Sequence, residues 1–154
     1  MGHSIQGFIA PNSALRRAAR MLKGAVVCDL NQGLGFLPLT DDVASPDDPA
    51  SEWEILYRLT APMAVWAAEC SRDGPIAYIQ TDYFGGIGGQ EAIVWSKGRV
   101  EFGPVRQKNA INEALSKFGI QRMKATDAFE AVGLDRYRSN EDWIEEADDG
   151  GPHY

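Results

Sequence analysis

The chain has 154 residues, 44% of them hydrophobic, and a formal net charge of -7. That length suits one domain able to bury about two-thirds of its unfolded surface without metals or disulfides. No apolar run is long enough for a membrane span, and the start lacks the basic-then-apolar order of a secretory signal, so a soluble cytoplasmic protein is expected.

The first element is a strand from Ser4 to Ala10, ended by Pro11 and Asn12. A helix follows with Asn12 or Ser13 as cap, an apolar stripe of Ala14, Leu15, Ala18, Ala19 and Leu22, and Gly24 as its stop. Arg16, Arg17 and Arg20 fall off that stripe with nothing aromatic between them, which reads as a solvated face and not a nucleic-acid patch. Ala25 to Leu30 and Leu34 to Leu39 are two further strands around the turn Asn31, Gln32, Gly33. An acidic loop runs from Thr40 to Ala50. Ser51 and Glu54 then have capping-box spacing, predicting a helix that Pro62 breaks before a second segment from about Met63 to Cys70. Trp53, Leu56, Leu59, Val65 and Trp66 are its expected core or near-core positions.

The stretch Tyr78 to Trp95, YIQTDYFGGIGGQEAIVW, carries two runs of β-branched and aromatic residues around a glycine-dense turn. A hairpin is the natural reading, with Gly85, Gly86, Gly88 and Gly89 supplying the turn. A phosphate cradle would need a helix after the glycines and, for a P-loop, a lysine; here a strand follows, with Glu91 in it. Lys97 and Gly98 turn the chain into Arg99 to Phe102, completing a three-stranded antiparallel meander that Pro104 closes. Asn109 caps a helix with Ala110, Ile111, Ala114, Leu115 and Phe118 on one face and Gly119 after its end. Thr126 starts a short helix ended by Gly133, and Ser139 to Asp142 starts another before Trp143 and Ile144. From Asp148 a frayed tail is expected. The whole is a single α+β domain, mainly an antiparallel sheet packed by several helices, spanning residues 1–154.

Charge is unevenly distributed. Residues 1–24 hold four bases and no acid, whereas residues 25–95 hold eleven acids against Arg58 and Arg72. Residues 96–140 are net basic, and residues 141–154 add six acids. If the middle block shares a surface, its field repels nucleic acid and attracts a basic partner; the alternative is an ordinary solubilising surface.

No catalytic apparatus is legible. A Ser–His or Cys–His engine needs a base near neutral pH, and the only histidines, His3 and His153, lie close to the termini. The two cysteines, Cys28 and Cys70, have no CxxC spacing and read as buried thiols. No zinc set exists, and Asp41, Asp42, Asp47 and Asp48 lack the ligand pattern of an EF-hand loop, so neither metal nor cofactor is expected. Asp82 and Glu91 form an acid–base pair if the turn brings them together, or two exposed carboxylates if it does not.

The segments IAYIQTDYFGGIGGQEAIVW, NAINEALSKFGI and DAFEAVGLDRYRSNEDW, between about Pro75 and Trp143, resemble a family of small bacterial immunity proteins of polymorphic-toxin and contact-dependent growth-inhibition systems. The resemblance implies a cytoplasmic inhibitor that binds a cognate toxin domain stoichiometrically and contacts neither nucleic acid nor membrane. The acidic block suits a basic, nuclease-like toxin. Asp47, Asp48, Glu52, Trp53, Asp82, Tyr83, Gln90 and Glu91 are the expected toxin-binding residues, although strict strand alternation puts Tyr83 on the opposite face from Asp82 and Phe84. The competing expectation is a small-molecule-binding protein or enzyme with a polar pocket near the hairpin, lined by Asp82, Tyr83, Gln90 and Arg106.

Overall fold

Period-two patterning of the β-rich runs builds one antiparallel sheet, and the helices close over both of its sides. The computed structural model describes residues 2–84 and 87–150, with the backbone alone for Glu146 and residues 148–150. Gly85, Gly86 and the last four residues of the expected tail, His153 among them, therefore lie outside the described residues.

The strands are β1 (Gln6–Pro11), β2 (Cys28–Asp29), β3 (Leu34–Pro38), β4 (Ile76–Phe84), β5 (Ile87–Ser96) and β6 (Arg99–Arg106). Their order in the sheet is β2-β3-β1-β4-β5-β6, all neighbours antiparallel. Helices α1 (Asn12–Ala19) and α2 (Ala61–Cys70) lie on one face, where Phe8, Leu37, Tyr78, Ile93 and Trp95 meet Leu15, Leu56, Leu59 and Met63. Helices α3 (Ala110–Ser116), α4 (Ala128–Val132) and α5 (Asn140–Gly150) cover the other face, where Ile9, Phe36, Ile79 and Val94 meet Ile111, Leu115, Val132 and Trp143. The α+β architecture and the β4-β5-β6 meander are as the sequence predicts.

Several boundaries differ, each for a local reason. The Ser51-capped helix does not form. Ser51 spends its hydroxyl on the Trp53 amide two residues on, at 3.3 Å, and residues 51–60 make successive turns that bury Leu56 and Leu59. Thr60 instead caps α2, its Oγ1 accepting from the Met63 amide at 3.4 Å. Pro62 occupies the first helical turn, where its missing N–H has no intrahelical acceptor to lose, so it starts a helix instead of breaking one. Val65 is exposed on α2, not core.

Helix α1 stops at Ala19, short of Gly24, and Asn12 makes no cap: its amide donates to Asp29 at 2.6 Å. The run expected as a strand from Ala25 to Leu30 pairs only through Cys28 and Asp29, at the sheet edge. Pro104 does not end β6, which continues to Arg106, because an edge strand tolerates the missing donor. Gly103 there has φ +82, and a Cβ would run into the Ala92 carbonyl. Asp127, one residue after Thr126, caps α4 through the Glu130 amide, and α5 stays helical to Gly150, beyond the point where fraying is expected.

The cysteines lie on opposite sides of the sheet, so no disulfide joins them. Cys28 is buried beneath α5 with its thiol donating to the Trp143 carbonyl at 3.3 Å. Cys70 ends α2 half-buried, and burial, with Glu69 and Asp73 nearby, pushes its thiol pKa up and keeps it protonated.

His3 is part of the structure. Its backbone bridges to Tyr83, its Nδ1 lies 2.7 Å from Thr81 Oγ1, and its ring packs edge-on against Phe129. Nε2 is buried with no hydrogen-bond partner among the described residues, and backbone groups of Leu134 and Tyr137 act on the ring. Burial lowers the pKa below 6.5; the two backbone contacts and Asp135 oppose the shift, while Arg138 adds to it. The folded state thus binds this proton less readily than the unfolded chain. Stability from this group is fully present above the unfolded pKa of about 6.5 and is lost as pH falls through the lower folded value. Urea midpoints measured between about pH 7 and about pH 5 should fall in the parent and fall less in His3→Gln. Equal losses in both would show that another group carries the effect.

Candidate protein-binding face

The β4-β5 register fixes which hairpin side chains can act together. Gln80 pairs with Glu91, Thr81 with Gln90, Asp82 with Gly89, Tyr83 with Gly88 and Phe84 with Ile87. Alternation therefore places Gln80, Asp82, Phe84, Ile87 and Glu91 on the α1/α2 face, together with Arg106, which β6 sets opposite Glu91. Thr81, Tyr83 and Gln90 belong to the other face. Strand β5 begins at Ile87, so Gly88 and Gly89 are strand residues and not part of the turn. Gly88 has φ +140, and a side chain there would overlap the Asp82 carbonyl.

Gln90 has a structural task. Its Oε1 accepts the Ile111 amide at 2.7 Å, capping the start of α3 where Asn109 does not, and its Nε2 donates to the Tyr83 hydroxyl at 3.1 Å. Tyr83 is half-buried on this side. These two residues cannot share an interface with Asp82 and Glu91, nor a pocket with Asp82 and Arg106.

Along the α1/α2 face the hairpin passes from apolar core to buried polar ladder to exposed apolar tip. Tyr78, fully buried, donates its hydroxyl to Gln80 Oε1 at 2.9 Å, and burial pushes its pKa well above 10. Gln80 Nε2 donates both to the Ile55 carbonyl at 2.6 Å and to Glu91 Oε1. Reversing this amide would set its oxygen against the Ile55 carbonyl and the Glu91 carboxylate, so its orientation is set. The bond to Ile55 also ties the turns of residues 51–60 to the hairpin.

Glu91 is 3% exposed. Its second oxygen, Oε2, accepts no hydrogen bond among the described residues and has Arg106 Nε at 3.6 Å, beyond hydrogen-bond range. Burying a carboxylate that is only half satisfied costs stability, which makes this position a candidate for function.

Beyond the ladder, Phe84 and Ile87 pair across the strands at 81% and 80% exposure. Ile55 and Tyr57, also exposed, flank the ladder from the neighbouring turns. Burial, and to a lesser degree the charges of Asp82 and Glu91, raise the Tyr57 pKa. Asp82 is exposed on the rim. The loop bearing the exposed Asp47, Asp48 and Glu52 covers this same side, anchored by Val43, Ala44, Leu56 and Leu59. Trp53 is half-buried, edge-on to Trp95 with ring centroids 6.1 Å apart, and packs into the sheet's core more than it faces outward.

Sequence reasoning missed Phe84, Ile87, Ile55 and Tyr57 as surface residues. Apolar residues at a hairpin end read as ordinary strand formers, and the sequence signal available was only that Phe84 and Ile87 immediately flank the glycines. Among the described residues no three His, Cys, Asp or Glu side chains converge as a metal site, and no helix is long and apolar enough to cross a membrane. No protein-family model, curated protein or solved structure matches this chain.

Proposed function

We propose that this protein is a cytoplasmic immunity protein that binds and neutralises a cognate bacterial toxin domain, basic and nuclease-like, by stoichiometric occlusion. The observation that carries this reading is the hairpin tip. Phe84 and Ile87 are almost fully exposed on the same face as Tyr57, Ile55 and Asp82, an apolar centre with an acidic rim. Scattered single apolar residues need no explanation, but a paired Phe and Ile projecting beyond a buried polar ladder fit the anchor-and-rim organisation of a protein interface. A pocket enzyme is less well supported, since Tyr83 and Gln90 lie across the sheet from Asp82 and Arg106.

In this reading the exposed carboxylates act on encounter and the apolar tip acts on residence. Asp47, Asp48 and Glu52 set a long-range field that draws in a basic surface, and the tip is then desolvated against it. Asp47→Asn with Asp48→Asn should slow association with the toxin and flatten its salt dependence, leaving dissociation nearly unchanged. Binding kinetics at two salt concentrations test this. Unchanged association would remove the steering role, and no binding of any polypeptide encoded at the same locus would remove the function.

A further inference from the structure

The half-satisfied carboxylate of Glu91 carries a more specific conclusion, which rests on the reading above that the partner is a basic protein. We propose that Glu91 is the seat for an arginine of the partner, and that in the free protein Arg106 covers this seat as a displaceable stand-in. Glu91 is pinned from one side by Gln80, so Oε1 is used and Oε2 is the oxygen left for a cation. Arg106 stands on the edge strand with its side chain 62% exposed, and it approaches Oε2 only to 3.6 Å. It neutralises the carboxylate without hydrogen-bonding to it.

Oε2 itself is closed off from solvent, and the space beside it over Gly89 is held by Arg106. A Cβ at Gly89 would lie 3.4 Å from Arg106 Nε and 3.8 Å from Glu91 Oε2, so the glycine leaves bare backbone where a planar group can lie. Guanidinium is weakly hydrated and offers five donors in a planar fork, which suits a buried oxygen better than a compact, strongly hydrated ammonium does. The exposed Phe84–Ile87 pair lies further along the same face, beyond Asp82 and Gly89, where a partner that reaches Glu91 also covers it. Binding then exchanges a poorly bonded internal guanidinium for a well-bonded external one, and Arg106 is released to solvent.

Ethylguanidinium, the end of an arginine side chain, tests the seat without any partner. Arg106→Ala changes an exposed side chain and should bind the probe saturably, with amide shifts centred on Gly89 and Glu91 in two-dimensional NMR. The parent should bind it about tenfold more weakly, because Arg106 competes. The double variant Arg106→Ala, Glu91→Gln should show no saturable shift while keeping a folded spectrum. No saturable binding by Arg106→Ala, equal binding by the double variant, or equal binding of n-butylammonium would overturn the seat. These outcomes do not depend on the toxin. If the probe binds as expected and no protein from the locus does, the seat stands and the immunity reading fails. If a toxin binds the parent but gains nothing from Arg106→Ala and loses nothing from Glu91→Gln, the reading stands and the seat is not used.

Discussion

Trp143→Ala should destabilise the fold by about 3–5 kcal/mol, the range for truncating a large buried aromatic. Trp143 is fully buried at the point where α5 meets the sheet, edge-on to Phe36 and Tyr137 at 5.5 and 4.8 Å, with the Arg136 guanidinium 5.0 Å from its ring centroid. Its loss would open a cavity between α5 and strands β2 and β3, which a close-packed interior closes only in part. The indole N–H makes no hydrogen bond among the described residues, so Trp143→Phe, which keeps a ring and removes that donor, should cost much less. Urea unfolding of the two variants separates the contributions. Similar losses in both would mean that indole size and not ring packing decides. A loss of under about 1 kcal/mol for alanine would mean that α5 is not a structural support.

Phe84→Ser with Ile87→Ser should do the opposite, leaving the fold nearly untouched and abolishing most of the binding. Both side chains are exposed in the free protein, so their removal should change stability by no more than about 0.5 kcal/mol each. At the centre of an interface the same truncation removes an anchor of about 2 kcal/mol or more, raising dissociation by roughly thirtyfold. Melting temperature and dissociation rate measured on one preparation decide the matter. Retained binding would move the interface elsewhere, and a collapse in stability would make the tip structural.

The sheet was the most legible part of the chain because its signals agree at every level. In the meander, alternation, β-branched residues and turn glycines all point the same way, and the observed strands follow them. The Ser51 segment failed because a capping box is only a local option. The serine hydroxyl had a nearer amide to accept from, and burial of Leu56 and Leu59 favoured turns over a helix. Thr60 and Pro62, a cap followed by a proline in the first turn, were the better start signal. For the site, alternation alone already separates Tyr83 from Asp82 and, by the same rule, Gln90 from Glu91. What the sequence could not show is which loop covers which face. Residues 51–60 sit beside the hairpin through Leu56 and Leu59 packed in the core and the Gln80 bond to Ile55, long-range contacts with no local signature. The exposure of Phe84 and Ile87 likewise depends on how far the hairpin projects beyond the helices.

The central claim is stoichiometric neutralisation by the hairpin face. The most direct measurement is a titration of the purified protein into a fixed amount of the basic toxin domain encoded at the same locus, with toxin activity as the readout. The account predicts a linear fall to zero at equimolar protein, and no such fall with the Phe84→Ser, Ile87→Ser variant. Full toxin activity in the presence of excess parent protein would contradict it.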